Sequence, residues 1–357
     1  MAEKKVVLVT GVASFWGRRT AEQLLLHPQL HVIGLDNEQP QPVVSGLDFI
    51  QADVRNPRLV DLLQSEGVHT VCHLKFVESA RPSEAALDVN VMGTMKVLGA
   101  CAQAGVKKVI LKSSTAVYGA HPDNSAYLTE DSPLNGSRAY GYTRDMIEIE
   151  AFINGFRRQQ PEMIISLLRF ASIVGPSADT PLTRFLQEPR TPVLLGFDPM
   201  MQVLHEQDAL GALVHAAVHD FPGVFNVAAE GVLPLSRLMG LAGKLALPVF
   251  HPLAYWGTAV MGNSRLGISR YLPIELDYLR YPWVGDLQKM RAELGFAPRY
   301  SAVEALREFS SKQRLRRFLP EKAALEYDEQ RLQDTIERRN RQRAANLEAE
   351  AEEVEND

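Results

Sequence analysis

Short apolar runs alternate with segments of helical spacing through the first half of the chain. Strands are predicted at residues 6–9, 32–36, 47–53, 69–74, 107–111 and 163–168, and helices at residues 15–26, 59–64, 84–104 and 138–159. The first run contains only valine and leucine, as expected for a central strand covered on both faces. Strands that alternate with helices at this spacing indicate right-handed crossovers. The predicted fold class is therefore α/β, with a doubly wound parallel sheet.

The first strand runs directly into a turn that contains glycine, and a helix follows. Gly11 and Gly17 hold the outer positions of a turn that usually carries three glycines, while Ser14 occupies the middle position. N–H groups at the start of such a helix can receive a pyrophosphate. Ser14 is compatible with this role if its backbone angles are ordinary and its hydroxyl bonds to the phosphate or points away from it. The alternative is the strand–helix turn of another kind of α/β protein.

A carboxylate ends the second predicted strand. Asp36 lies where an acidic side chain would accept hydrogen bonds from the adenosine ribose hydroxyls of a dinucleotide in a Rossmann-type fold. The same carboxylate would repel the 2′-phosphate of NADP, so the predicted cofactor is NAD. Asp53 ends the third strand and could reach an adenine amino group. A role as a turn residue or helix N-cap is equally compatible with its position.

Composition narrows the class of protein. The chain is 46% hydrophobic and 23% charged, which is typical of soluble globular proteins. Cys72 and Cys101 lie far apart, so neither a disulfide framework nor a metal site is predicted. Residues 321–357 carry 12 acidic and 6 basic side chains, and the rest of the chain has no basic excess that would favour nucleic acid. No signal h-region or membrane-spanning run is present, so a cytoplasmic protein is predicted.

Several motifs then follow in an order that resembles one family. They are Ser113-Ser-Thr-Ala-Val-Tyr-Gly119, Tyr140-Gly-Tyr-Thr-Arg144, Leu168-Arg-Phe-Ala-Ser-Ile-Val-Gly-Pro176, and Glu293-Leu-Gly-Phe-Ala-Pro298, together with the glycine turn, Asp36 and Asp53. The order resembles the extended short-chain dehydrogenase/reductases, in particular the NAD-dependent epimerase/dehydratase group that includes UDP-glucose 4-epimerase-like proteins. This resemblance covers about residues 4–310. The predicted domains are an NAD-binding domain over mainly 1–175, a smaller C-terminal substrate lobe over mainly 176–310, and a charged helical tail over 311–357.

The resemblance implies acid–base chemistry at a carbon that bears a hydroxyl. In the family, a tyrosine followed by a lysine four residues later takes the hydroxyl proton, and a nearby hydroxyl shares it; Tyr140 and Ser114 match these two groups. Arg144 stands in the place of the lysine. Its permanent charge could still lower the pKa of Tyr140, but a planar guanidinium cannot replace a compact ammonium between ribose hydroxyls. The alternatives are that Tyr140 and Arg144 are only helix neighbours, or that activity is lost or altered. Tyr142 receives no role, because helical spacing directs it elsewhere.

The resemblance also implies the ligands and the assembly. Contacts with NAD are expected from Gly11, Ser14, Phe15, Trp16, Gly17, Asp36, Asp53, Val54, Leu74, Lys75, Asn90, Tyr140 and Arg144. Lys75 replaces a small residue of the family, and could pair with a cofactor phosphate or extend into solvent. The expected protein is a homodimer that acts on a nucleotide sugar through transient hydride transfer. The alternative function is an NAD-binding sensor or scaffold with weak or lost catalysis.

Overall fold

The structure, a computed structural model, describes residues 4–318 except 80, 188–189, 253 and 255–273, together with 332–333, 335–336 and 339. The strands are β1 (Lys5–Thr10), β2 (Leu30–Asp36), β3 (Asp48–Gln51), β4 (Val68–His73), β5 (Lys108–Ser114), β6 (Ile164–Phe170), β7 (Ser172–Val174), β8 (Arg190–Leu194), β9 (Met200–Met201), β10 (Val203–His205), β11 (Gly223–Val227), β12 (Leu233–Pro234) and β13 (Leu245–Val249). The helices are α1 (Phe15–Leu24), α2 (Leu59–Ser65), α3 (Glu84–Leu87), α4 (Gly93–Ala104), α5 (Gly141–Gln159), α6 (Pro181–Phe185), α7 (Glu206–Val218), α8 (Leu235–Leu241), α9 (Gln288–Ala292) and α10 (Ala302–Phe318). A π-helical turn spans Asp88–Met92, and 3-10 helices span Thr115–Tyr118 and Leu276–Leu279.

Seven strands form the central sheet, in the order β11-β6-β5-β4-β1-β2-β3. Every pairing within it is parallel. The chain runs outward from β1 through β2 and β3, and then returns to add β4, β5 and β6 on the other side. The strand order therefore reverses between β1 and β4, which is where open α/β sheets form a ligand crevice at the carboxyl ends of their strands. This topology confirms the predicted doubly wound parallel sheet.

Both faces of the sheet are covered by helices. In β1, Val7 and Val9 belong to a core that includes residues of α1 and α7, whereas Leu8 belongs to a core formed with α2, α4 and α5. Successive residues of a strand point to opposite faces, so each position in β1 meets an apolar layer. Burial on both faces of the sheet therefore explains why this run contains only valine and leucine.

The largest differences from the predicted helix bounds occur in two helices. The helix predicted at 84–104 is divided into α3, the π turn and α4, and the π turn carries Asn90. The Asn90 side chain accepts a hydrogen bond from the Val77 N–H at 2.8 Å and donates one to the Val77 carbonyl at 2.9 Å. The helix predicted from residue 138 begins instead at Gly141, where a Cβ would lie 2.4 Å from the Arg81 carbonyl oxygen. Gly141 at the start of α5 is thus in close contact with this neighbouring loop.

Three two-stranded sheets lie outside the central sheet, formed by β7 with β10, β8 with β13 and β9 with β12. The chain divides into two compact units, Met1–Phe309 and Ser310–Asp357, and the sheets lie in the first. The three domain boundaries predicted from the sequence stay predictions. The sequence mixes glycine, proline and aromatic residues around Trp256, Gly262, Gly267 and Pro273, and this segment and most of the charged tail lie outside the described residues. None of the helices in the described part of the chain is long and apolar enough to cross a bilayer.

Candidate active site

The turn between β1 and α1 is too tight for side chains at its two glycines. Gly11 has a φ of +78°, and a Cβ there would lie 2.7 Å from the Leu74 carbonyl carbon. A Cβ on Gly17 would lie 2.2 Å from the Gly11 carbonyl oxygen. Real Cβ atoms do not approach backbone atoms this closely, so glycine is required at both positions. Leu74, which was predicted to contact the cofactor, is thereby held against this turn.

Ser14 replaces the middle glycine without backbone strain. Its φ of −82° and ψ of 161° are ordinary extended values, and it is the N-cap of α1. The Ser14 hydroxyl donates to the Gly11 carbonyl at 2.6 Å and accepts from the Gly17 N–H at 3.2 Å. The next two residues, Phe15 and Trp16, begin the helix with their rings in edge contact, 4.9 Å apart. The first N–H groups of a helix have no partner within it, so this end suits a pyrophosphate.

Asp36 ends β2 beside this turn, and its side chain is buried. One carboxylate oxygen accepts from the Ala13 N–H at 2.9 Å, and the other lies 2.5 Å from the Lys75 ammonium, which also contacts Asn37 at 2.6 Å. Neither role considered for Lys75, a phosphate contact or extension into solvent, anticipated this ion pair. The glycine turn, the helix start and a carboxylate at the end of β2 together fit a dinucleotide. The individual contacts with the cofactor stay predictions.

The remaining predicted cofactor residues have local structural partners. Asp53 accepts hydrogen bonds from the backbone and guanidinium of Arg55, which hold the pKa of Asp53 at about 2. This matches the turn role considered for Asp53. Val54 is buried against the sheet core, and the Asn90 amide donates to Asp145 at 2.9 Å. Asn90 thus links the segment after β4 to α5.

A cavity opens at the carboxyl ends of β5 and β6. It measures about 930 Å³ when the solvent-open space at its mouth is included. Ser114 lies on its wall at the end of β5, where its hydroxyl accepts from the Ala116 N–H at 3.2 Å. Tyr140 and Tyr142 also line the cavity. The structure therefore brings together the predicted Ser114 and Tyr140, and adds Tyr142.

The Arg144 guanidinium is not directed at Tyr140, contrary to the expectation from the sequence. Its guanidinium donates to Asp145 at 2.7 and 2.9 Å and to the Ser83 carbonyl at 3.4 Å, and Arg144 is not among the described residues that line the cavity. The physical reason is that Tyr140 is the N-cap of α5, with an extended φ of −95° and ψ of 116°. Residues four apart share a face only when both are helical.

The electrostatics around Tyr140 oppose its ionisation. Burial, followed by the Glu78 carboxylate, raises the pKa of Tyr140 to about 12, with a further contribution from Glu275; the Arg184 charge acts in the opposite direction. Glu275 is itself a pocket residue, and burial raises the pKa of its carboxyl to about 7. A phenol in these surroundings is held in its neutral form in the ligand-free protein.

Lys112 is a cavity residue that sequence analysis missed. It lies in β5, and its ammonium is 3.2 Å from the Tyr142 hydroxyl and 3.7 Å from a Glu78 carboxylate oxygen. The signal in the sequence was a lysine directly after the apolar residues Val109, Ile110 and Leu111, and the structure places it inside β5. Lysine is rarely buried unless its charge has a partner or a function.

Behind the cavity wall lies a buried ion pair. Arg169 of β6 donates to Glu150 of α5 at 2.5 and 2.9 Å, and also to the Tyr118 hydroxyl at 2.7 Å. The Ser113 hydroxyl donates to the other Glu150 oxygen at 2.5 Å. These bonds tie the end of β5, which carries Ser114, to β6 and α5.

Comparison with known proteins agrees with this architecture. The family model described as the NAD dependent epimerase/dehydratase family matches residues 7–228. An uncharacterized protein of Mycobacterium tuberculosis is 35% identical over 317 residues, which covers 85% of this chain and 83% of the relative. UDP-glucose 4-epimerase 1 of Oryza sativa subsp. japonica is 31% identical over 290 residues, covering 72% and 78%.

A solved structure supports the fold. MoeE5 in complex with UDP-glucuronic acid and NAD superposes with a TM-score of 0.67 at 21% identity, covering 88% of this chain and 100% of that one. At this identity the likeness concerns the fold alone. The family match spans more than half of the chain, and two relatives exceed 30% identity. The chain therefore belongs to the NAD dependent epimerase/dehydratase family, whose cofactor is NAD, as its motifs predicted.

Proposed function

We propose that this protein is an NAD-dependent epimerase or dehydratase-like oxidoreductase that acts on a nucleotide sugar. The observation that carries the proposal is one cavity, at the carboxyl edge of the sheet, that holds the Ser114 hydroxyl together with Tyr140 and Tyr142. Bound NAD supplies a hydride acceptor for the carbon that bears the substrate hydroxyl. The side chains of this chain then have to orient that hydroxyl and take its proton.

The roles follow from the chemistry of each group. Ser114 is positioned to share a hydrogen bond with the substrate oxygen, and a tyrosine of the same wall accepts the proton. Arg184 lies at the cavity, 41% exposed and paired with Asp179 at 2.6 Å. A guanidinium at this place is suited to the diphosphate of a nucleotide sugar. The name of the rice relative, UDP-glucose 4-epimerase 1, supports the same substrate class.

The test is a single-turnover assay. Purified protein is loaded with NAD and mixed with a panel of UDP-, dTDP- and GDP-linked sugars, while absorbance at 340 nm and product stereochemistry are followed. We expect a transient NADH signal and conversion of at least one sugar. Ser114→Ala is expected to lower the rate by about a hundredfold, since a positioned proton-transfer group contributes at least that much. Ser177→Ala, outside the cavity wall, is the matched control and should retain the unmodified rate.

A second candidate is an NAD-binding sensor or scaffold with little turnover. Two observations favour it: Arg144 is bonded to Asp145 and Ser83, and the pKa of Tyr140 is raised to about 12. Neither arrangement helps Tyr140 to act as a base. Absence of a 340 nm signal across the whole panel, from protein shown by calorimetry to bind NAD, would favour this candidate over the enzyme.

We also propose that the protein is a homodimer, as the family resemblance implies for the helices α4 and α5. Met92, at the start of this region, is 43% exposed despite its apolar side chain. A two-fold dimer is the commonest closed assembly and would cover such a surface. We expect light scattering at micromolar concentration to return twice the mass of the 39.7 kDa chain. A monomer mass would contradict the proposal.

A further inference from the structure

Lys112 is a buried cation that the expected site does not use. It lies in the middle of a strand whose neighbouring side chains are buried, and only 8% of its own side chain is exposed. Its ammonium faces the cavity, 3.2 Å from the Tyr142 hydroxyl and 5.5 Å from the centre of the Trp16 ring. A buried ammonium is costly unless a partner stabilises its charge. The partners here are a phenol and the Glu78 carboxylate, 3.7 Å away.

Tyr140 and Tyr142 differ in the charges around them. Burial raises the pKa of Tyr142, and the Lys112 ammonium opposes this by both its charge and its hydrogen bond. Glu78 and Asp145 are the carboxylates that face Tyr142 and favour its neutral form. Tyr140, in contrast, has Arg184 as its nearby cation and has Glu78 and Glu275 against it. Tyr142 thus receives a direct hydrogen bond from a buried cation.

We propose that Lys112 and Tyr142 form the proton-transfer pair of this cavity, with the lysine supplied by β5 rather than by the helix position that Arg144 occupies. The inference rests on the proposed function. When the substrate O–H bond breaks, its proton forms the O–H bond of Tyr142, and the electron pair stays on the substrate oxygen. Lys112 is a positioning residue, because its ammonium stabilises the phenolate of Tyr142 that must be present before the proton arrives.

In the family, the tyrosine and its cation are four residues apart on one helix, whereas Lys112 and Tyr142 come from different elements of the fold. A tyrosine and a cation four residues apart need one regular helix, and α5 begins only after Tyr140. Lys112 and Tyr142 are instead brought together by packing of α5 against the end of β5. The chemical requirement, an ammonium within hydrogen-bond distance of a phenol beside a serine hydroxyl, is met by different positions in the chain.

The test measures the ionisation of Tyr142 directly and needs no substrate. Tyrosine labelled with ¹³C at Cζ is incorporated, NAD is added, and the carbon resonances are followed against pH; Tyr142→Phe identifies the resonance. The midpoint is the pH at which half of Tyr142 is ionised. We expect Lys112→Met to raise this midpoint by about 1–3 pH units, the usual effect of a close opposite charge. Lys112→Arg should restore most of the shift. A structural role for Lys112 alone would leave the midpoint unchanged.

Two further variants keep the proposal falsifiable if Lys112→Met fails to fold. Glu78→Gln should lower the Tyr142 midpoint, because it removes a carboxylate that opposes ionisation, and the Glu78 side chain is 26% exposed. Arg144→Met tests whether Arg144, rather than Lys112, stabilises the phenolate of Tyr142. A Tyr142 midpoint that moves with Arg144→Met but not with Lys112→Met or Glu78→Gln would overturn the proposal. So would a Tyr142 resonance that never titrates in the folded protein.

Failure of this inference is distinguishable from failure of the proposed function. The resonance titration reports the Lys112–Tyr142 pair whether or not a sugar substrate is found. Once a substrate is known, Tyr142→Phe and Tyr140→Phe form a matched pair that each removes one hydroxyl from the same wall. We expect the larger loss of single-turnover rate, about a hundredfold or more, from Tyr142→Phe. A larger loss from Tyr140→Phe would assign the proton transfer to Tyr140.

Discussion

Gly17→Val is expected to abolish tight NAD binding. The added Cβ would lie 2.2 Å from the Gly11 carbonyl oxygen and 2.5 Å from the Gly11 carbonyl carbon, and neither backbone atom can rotate away. The turn must therefore open, which moves the start of α1 away from the place where a pyrophosphate would bind. A misplacement of about 1 Å can lower a catalytic rate by about a hundredfold. We expect a loss of similar size in NAD affinity, measured by a calorimetric titration.

A second glycine provides the control for this experiment. Gly240 lies near the end of α8, and none of the described atoms comes within 4 Å of a Cβ placed on it. Gly240→Ala should leave NAD affinity unchanged and stabilise the fold by about 0.5–1 kcal/mol, because alanine is the better helix former. Unchanged NAD affinity in Gly17→Val would show that the turn does not bind the cofactor.

The part of the fold that was predicted from the sequence depends on local pattern. The apolar run at residues 6–9 predicted β1, and the glycine turn and the following helical spacing predicted α1. The boundaries were less accurate: the helix predicted to Leu26 ends at Leu24, just before His27 and Pro28. Periodicity identifies a helix or strand because a helix buries residues on every turn and a strand buries alternate residues. The end of the element, however, depends on a few capping contacts.

The active site was harder to predict because its geometry depends on contacts between distant residues. The spacing of Tyr140 and Arg144 suggested one helical face, but Tyr140 precedes the helix and has extended backbone angles. Lys112 and Tyr142 are 30 residues apart, and only the packing of α5 on β5 makes them neighbours. A single sequence carries no direct record of such a contact. The available signal was a lysine directly after the apolar run of β5, and this signal identified neither the partner of the lysine nor the cavity.

The ion pair between Lys75 and Asp36 is a further long-range contact of this kind. Asp36 was correctly expected at the end of the second strand, since a strand end can be found from pattern alone. The lysine comes from the segment after β4, which is separated from β2 in the sheet by β1, and its ammonium lies 2.5 Å from Asp36. Residue type and strand position predicted the carboxylate, whereas the cation that balances it required the folded sheet.

Glu150→Gln is expected to destabilise the protein by about 3–5 kcal/mol, the usual effect of leaving one partner of a buried ion pair uncompensated. The side chains of Arg169 and Glu150 are only 3% and 1% exposed, and Glu150 also accepts the Ser113 hydroxyl. Loss of the negative charge leaves the Arg169 guanidinium without its counterion in the interior. Urea denaturation followed by circular dichroism measures the change as a lower midpoint. Because Ser113 precedes Ser114, the same variant should also loosen the cavity wall.

An exposed pair of the same chemical type gives the matched control. Arg291 and Glu230 are 2.7 Å apart, but their side chains are 53% and 58% exposed. Glu230→Gln should therefore change the free energy of unfolding by no more than about 1 kcal/mol, since water screens exposed pairs. The double variant Glu150→Leu with Arg169→Met should recover much of the stability that Glu150→Gln loses, because it leaves no charge unpaired. Equal effects of Glu150→Gln and Glu230→Gln would show that burial does not set the strength of the Arg169 pair.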